Sequence, residues 1–188
     1  MSNSPKSKQN ENLKMAGRLT DIMYIAMFTA ITAVFAQICI PFQIPFTLQT
    51  LAIFISGAML GWKRGTISIL IYILLAAVGV PVLAGLKGGV DKIFGVTGGY
   101  ILGFILTALI VGGITEFFGK SIPSLIISMT IGLMAWYILG TVWYCIFANA
   151  DFISALLLCV VPFLPADAAK IAVAVFLVKR LENVIKLT

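Results

Sequence analysis

The chain has 188 residues, 61% of them hydrophobic and 11% charged, with a formal net charge of +6. A soluble domain carries about a quarter charged residues, so this composition excludes a water-soluble globule. The Lys and Arg residues sit at the ends of apolar segments, which gives no basic patch suited to nucleic acid.

Residues 1–12 are polar and rich in Ser, Asn and Lys. No short apolar core with a small-residue cleavage site follows them, so they do not read as a signal peptide. Residues 1–18 are expected to form a disordered polar N-terminus on the cytoplasmic side, and residues 19–188 a single transmembrane domain. No charged side chain occurs in 22–62, 65–86, 93–115 or 121–150. Apolar stretches near 20 residues are what a bilayer crossing requires.

Pro41 and Pro45 divide the first stretch, predicting helices over 22–40 and 47–61. Residues 61–65, Gly-Trp-Lys-Arg-Gly, read as a tight charged turn. A third helix over 66–80 ends at Gly79-Val80-Pro81. The second and third helices are short for a full crossing, which local thinning of the bilayer or inward-dipping loops would accommodate. A glycine-rich loop over 81–98 precedes helices over 99–118 and 122–148. Residues 152–161 read as a short interfacial helix, and a last helix runs from Pro165, a favoured first-turn residue, to about 181. The fold class is therefore all-α integral membrane with six transmembrane helices.

Basic residues orient such a bundle. Lys6, Lys8, Lys14 and Arg18 precede the first helix, Lys63 and Arg64 join the second to the third, Lys120 joins the fourth to the fifth, and Lys179, Arg180 and Lys186 follow the sixth. All fall on one side; the other has Lys87 and Lys92. Both termini are expected in the cytoplasm, and the loops at 41–46, 81–98 and 149–164 outside.

Asp167 and Lys170 are the two charges left inside the last helix. A charge at mid-helix costs roughly 2.5–3.5 kcal/mol on insertion scales, and a spacing of three lets the two pair on one face. The plain alternative is a structural ion pair, but a buried pair is weak evidence for stability, which favours a ligand-binding role. Ala26, Ala30 and Ala33 give one face of the first helix small residues, suited to packing inside the protein or to docking a partner. Gly99 and Gly103 read as internal packing. Trp136 and Trp143 share a face with Gly140, as an interface belt or a pocket wall. The segment around Gly85, Lys87, Gly88 and Gly89 is either a surface loop or a backbone N–H cradle for a ligand.

Other chemistry lacks its residues. The chain has no histidine, the commonest general base and metal ligand, so no metal site is expected. Cys39, Cys145 and Cys159 show no CxxC spacing and read as small buried hydrophobes, although a disulfide between two of them is not excluded. Gly119-Lys120-Ser121 is no phosphate loop, since position 114 is isoleucine. With one intramembrane carboxylate there is no two-acid pair, and an enzyme is not expected.

Four segments taken together carry a resemblance: Pro45-Phe46-Thr47-Leu48-Gln49-Thr50-Leu51; Gly79-Val80-Pro81-Val82-Leu83-Ala84-Gly85 with Gly88-Gly89; Thr97-Gly98-Gly99-Tyr100-Ile101-Leu102-Gly103-Phe104; and Pro162-Phe163-Leu164-Pro165-Ala166-Asp167-Ala168-Ala169-Lys170. They resemble the BioY family, the biotin-specific S components of energy-coupling factor (ECF) vitamin transporters, over nearly the whole chain after about Leu19. Val96 and Ala166 depart from the proline and glycine usual there, and Lys87 and Val90-Asp91-Lys92 look particular to this chain. The resemblance implies a six-helix S-component fold in a bacterial cytoplasmic membrane, high-affinity capture of biotin from outside, and no cofactor. It also implies partners, a transmembrane T component and two ATP-binding subunits, with Ala26 and Ala30 on the docking face.

On that basis Asp167 accepts from a ureido N–H and Lys170 donates to the ureido carbonyl. Tyr100, Trp136 and Trp143 supply an apolar wall. Gln49, Thr47, Lys87 or the backbone at Gly88 and Gly89 receive the tail carboxylate. The reverse orientation, with Lys170 on the carboxylate, stays open. The competing function is a self-sufficient secondary transporter or facilitator of a small vitamin, which would need an ion-coupling site and usually an inverted repeat; neither is visible in the chain.

Overall fold

The computed structural model describes residues 5–40 and 45–182. Helix α1 runs Pro5–Gln37. Residues 5–18 belong to this helix. Residues 1–4, part of the first loop at 41–44, and Lys186 lie outside the described residues. At 33 residues α1 is about 50 Å long, more than the roughly 30 Å hydrocarbon core; its apolar window is Lys14–Gln37. Strands β1 (Cys39–Ile40) and β2 (Phe46–Thr47) pair antiparallel, with Cys39 opposite Thr47 and Ile40 opposite Phe46. The sequence gives no sign of them, because two residues are too few for an alternating pattern.

Helix α2 spans Gln49–Ala77, but Gly61 inside it has φ 77° and ψ 178°. Only glycine adopts that backbone without strain. The two arms, 49–60 and 62–77, fold back on each other: a Cβ at Gly65 would lie 3.0 Å from the Cα of Gly57. Gln49 Nε2 likewise donates to the Tyr72 hydroxyl at 2.6 Å, whereas 23 residues of straight helix would separate them by about 34 Å. The second and third expected helices are thus one element broken at a single glycine, and the charged turn is helical on its far side. Glycines also let α4 (Gly98–Phe118) approach this break. A Cβ at Gly112 would stand 2.6 Å from the Trp62 backbone, and one at Gly57 would stand 2.9 Å from the Ala108 carbonyl.

The glycine-rich loop at 81–98, the third in chain order after those at 41–46 and 61–65, holds a one-pair bridge, Leu83 to Lys87, and a single-turn helix α3, Val90–Ile93. Helix α5, Ile122–Ala148, occupies its expected limits, capped by Ser121 at the start and by left-handed Asn149 at the end. The Asp151 carboxylate caps α6, Phe152–Cys159, by accepting from the backbone N–H of Ile153 and Ser154. A 3-10 turn at Val161–Phe163 leads into α7, Leu164–Glu182.

Five stretches among the described residues are long and apolar enough to cross a membrane: Lys14–Gln37, Gln49–Ala77, Gly98–Phe118, Ile122–Ala148 and Phe152–Glu182. The difference from the six expected arises at Gly61, where one stretch contains two antiparallel arms. The outer surface is apolar: Ile146 is 75% exposed and Met23 70%. Such a surface belongs against lipid or another helix.

Candidate functional site

A cavity of about 210 Å³ lies at the end of the bundle formed by the β1–β2 hairpin, the third loop and the start of α7. Its floor is polar and buried. The Lys170 ammonium donates to Asp167 Oδ1 at 2.7 Å and to Thr50 Oγ1 at 3.1 Å, and sits 3.9 Å from the centroid of the Phe46 ring. Asp167 Oδ2 accepts a hydrogen bond from the Tyr137 hydroxyl. The side chains of Asp167 and Lys170 are 2% and 7% exposed. The charges therefore cancel within the floor, at the first turns of α7, where a carboxylate is also favoured by the helix dipole. Asp167 retains unused lone pairs, and the ammonium hydrogen nearest Phe46 has only a ring face as partner.

The walls are apolar. Trp136 stacks on Phe104 with ring centroids 5.8 Å apart and meets Tyr100 edge-on at 5.0 Å. Its indole N–H donates to the Tyr100 carbonyl at 2.7 Å. Phe46 and Phe163, parallel at 5.9 Å, close the hairpin side. The aromatic wall is seated in glycines: Gly103 admits Trp136, and Gly140 admits the Tyr100 ring. Any side chain at either position would collide.

The remaining side is a hydrogen-bonded chain. Thr47 donates to Gln49 Oε1 at 3.0 Å, Gln49 Nε2 to Tyr72, and the Tyr72 hydroxyl to the Val82 carbonyl at 2.9 Å. Gln37 of α1 donates to the carbonyls of Val82 and Leu83 and accepts from the Leu86 N–H at 2.9 Å. The third loop is thereby tied to both the hairpin and α1. Lys87 and Lys92 line the cavity while remaining solvent-exposed, so they form its rim. Lys92 pairs with Asp91 at 2.8 Å, and that hydrogen bond holds the Asp91 carboxyl below its ordinary range. The rim keeps a net positive charge.

Of the expected site residues, Thr47, Gln49, Lys87, Tyr100, Trp136, Asp167 and Lys170 line this cavity. Gly85, Gly88, Gly89 and Trp143 do not. The Gly89 N–H is committed to the Ala76 carbonyl at 2.7 Å, Gly85 takes a left-handed φ of 71°, and Gly88 lies against the Gly79 and Val80 carbonyls. These glycines shape the loop, and none of the three lines the cavity. Trp143 covers Gly98 and Gly99 and donates to the Gly95 carbonyl at 2.9 Å, so it braces the third loop from outside. Ala26 and Ala30 lie exposed on α1, whereas Ala33 is half-buried against the core.

Thr50, Phe46, Phe163 and Lys92 line the cavity without having been expected to, and Tyr137 reaches it through Asp167. No spacing links Tyr137 on α5 to Asp167 on α7. Among the described residues no group of three His, Cys, Asp or Glu could hold a metal. Each of the four segments set out in the sequence contributes lining: Phe46 and Gln49, Leu83 and Ala84, Tyr100 and Phe104, Asp167 and Lys170.

The BioY family model matches residues 6–187. A "Probable biotin transporter BioY" of Pyrococcus horikoshii is 38% identical over 164 residues, spanning 87% of this chain and 96% of that protein. The "Biotin transporter BioY" of Thermotoga maritima is 38% identical over 166 residues, spanning 88% and 97%. Among solved structures, a crystal structure of the S-component for biotin from an ECF-type ABC transporter superposes with a TM-score of 0.80 and 28% identity, covering 97% of this chain and 95% of that one.

Proposed function

Because the chain belongs to the BioY family, we propose that it is the biotin-binding S component of an ECF-type ABC importer. It captures biotin outside a bacterial plasma membrane and releases it inward with energy from partner ATPase subunits. The observation that carries this is the convergence of all four family-like segments on one cavity with a polar, charge-balanced floor and aromatic walls. Biotin offers two ureido N–H donors and a carbonyl, an apolar bicycle, and an acidic tail. The free lone pairs of Asp167 meet the N–H groups and the third Lys170 hydrogen meets the carbonyl. Trp136, Tyr100 and Phe104 pack on the bicycle. The tail runs to the rim, where Lys87 and Lys92 receive its carboxylate.

The bundle crosses the membrane six times, with the arms of α2 counted separately and both termini inside. Three contacts support that count by drawing the basic residues to one end: Arg64 with Asp21 at 3.0 Å, Lys179 with the Lys120 carbonyl at 3.2 Å, and Lys120 with the Met59 carbonyl at 3.4 Å. The cavity opens at the opposite end, and in this reading it faces outside. Two short arms, about 18 and 24 Å long, thin the membrane locally. The exposed Ala26 and Ala30 let the T component approach α1 closely.

The test is calorimetric titration of biotin into the purified protein, produced under biotin depletion, with Asp167→Asn and Lys170→Ala alongside. Tight binding that either substitution weakens by about 2 kcal/mol or more is expected. No binding by folded, ligand-free protein overturns the assignment of the ligand.

A further inference from the structure

We propose that Tyr137 and Thr50 are the positioning residues that make the floor selective for a cyclic urea, Tyr137 by pinning the Asp167 carboxylate and Thr50 by pinning the Lys170 ammonium. The proposal rests on biotin being the ligand, and adds the residues that set specificity at its polar head.

An Asp–Lys pair three residues apart on one helix has a competing arrangement of its own. Left alone, the ammonium would reach both carboxylate oxygens and satisfy itself, leaving little directed capacity for a neutral ligand. Two residues from other helices prevent this. Tyr137, on α5, donates to Oδ2 and so reserves the second oxygen from Lys170, which holds Oδ1 at 2.7 Å. Thr50, on the first arm of α2, accepts a second ammonium hydrogen at 3.1 Å and draws Nζ away from the carboxylate axis. The third hydrogen is then aimed at the Phe46 ring face, 3.9 Å from its centroid, a weak partner that a carbonyl oxygen outcompetes. Both anchors are themselves fixed. Tyr137 is 4% exposed and packs against Trp136 at 5.2 Å between centroids; Thr50 is 3% exposed in the first turn of α2.

What remains open is one strong donor beside a carboxylate with spare lone pairs, in a floor of zero net charge. That pattern fits a neutral group with a carbonyl flanked by N–H. It rejects a cyclic guanidinium, whose extra N–H would face the Lys170 ammonium. It also disfavours a cyclic thiourea, whose sulfur is a weaker and larger acceptor. The anchors act through Asp167 and Lys170 and are not themselves required to touch the ligand.

The experiment measures dissociation constants of the full chain in detergent for three ligands: biotin, its thiourea analogue with sulfur in place of the ring carbonyl oxygen, and biotin amide, which differs only in the tail. With Tyr137→Phe, biotin affinity is expected to fall about 10-fold. Its preference over the thiourea should shrink by a similar factor, with the preference over the amide unchanged. In an Asp167→Ala background, where no side-chain acceptor remains for it, Tyr137→Phe should add less than about 2-fold. Thr50→Val, close in shape, should repeat the pattern at the ammonium and serves if Tyr137→Phe does not fold. Equal losses for all three ligands, or full additivity with Asp167→Ala, would overturn the positioning role while leaving biotin as ligand. If the unsubstituted chain binds none of the three, the assignment of biotin itself fails.

Discussion

Lys170→Met keeps a stem of similar length and removes the ammonium. Three contacts go with it: the 2.7 Å bond to Asp167, the 3.1 Å bond to Thr50 and the approach to Phe46. The Asp167 carboxylate, with its side chain 2% exposed, then keeps only the Tyr137 hydroxyl. Breaking a buried pair from one side costs about 3–5 kcal/mol, because the remaining charge has no counterpart. Asp167→Asn combined with Lys170→Met removes both charges, and the amide oxygen can still accept from Tyr137. The double variant should therefore recover most of that loss and unfold within about 1 kcal/mol of the native chain. Unfolding by SDS titration in detergent micelles, without biotin, reads the stabilities; calorimetry reads binding. The expected result is a weak single variant, a stable double variant, and no biotin binding by either. A double variant as unstable as the single one would refute the charge-balance argument. A double variant that binds biotin with native affinity would make the pair structural.

Other substitutions probe separate parts of the molecule. Gly61→Ala forces a left-handed φ of 77° on a side chain whose Cβ would lie 2.6 Å from Glu116 Oε2; it should cost more than about 1 kcal/mol in the same SDS assay. Ala30→Trp should leave biotin binding by the isolated chain unchanged and abolish co-purification with the T component. Loss of binding in the isolated chain would show the face to be internal. Lys87→Ala with Lys92→Ala should weaken biotin and leave biotin methyl ester little affected; equal losses for both would remove the rim from carboxylate recognition.

Helix limits were readable wherever caps and apolar runs coincide: α5 begins after Ser121 and ends at Asn149, and α4 begins one residue from its expected start. The start of α1 was not, because a polar Ser- and Asn-rich run has no apolar period to mark it. At the site, Asp167 and Lys170 stood out because charge is expensive in a membrane helix. Tyr137 and Thr50 are ordinary residues in apolar runs, and only the packing of α2 and α5 against α7 brings them to the pair. The glycines at 85, 88 and 89 do not line the cavity, and positive φ and close backbone approach serve a loop's own turns as readily as a ligand.

The fit of Trp136 and Tyr100 into glycine sockets bears on how a relative could acquire a different cargo. Each ring is held by a position on the opposing helix that has no side chain to shorten, so the α4–α5 wall offers no spare volume to yield. A larger ligand would demand paired changes on two helices at once, and single steps along that route collide. Leu83 and Ala84 carry no such lock; they stand on a loop held by hydrogen bonds from Gln37 and Tyr72 to main-chain carbonyls, which any residue presents. Divergence of cargo in chains built this way should therefore be written in the third loop, with the aromatic wall carried along unchanged.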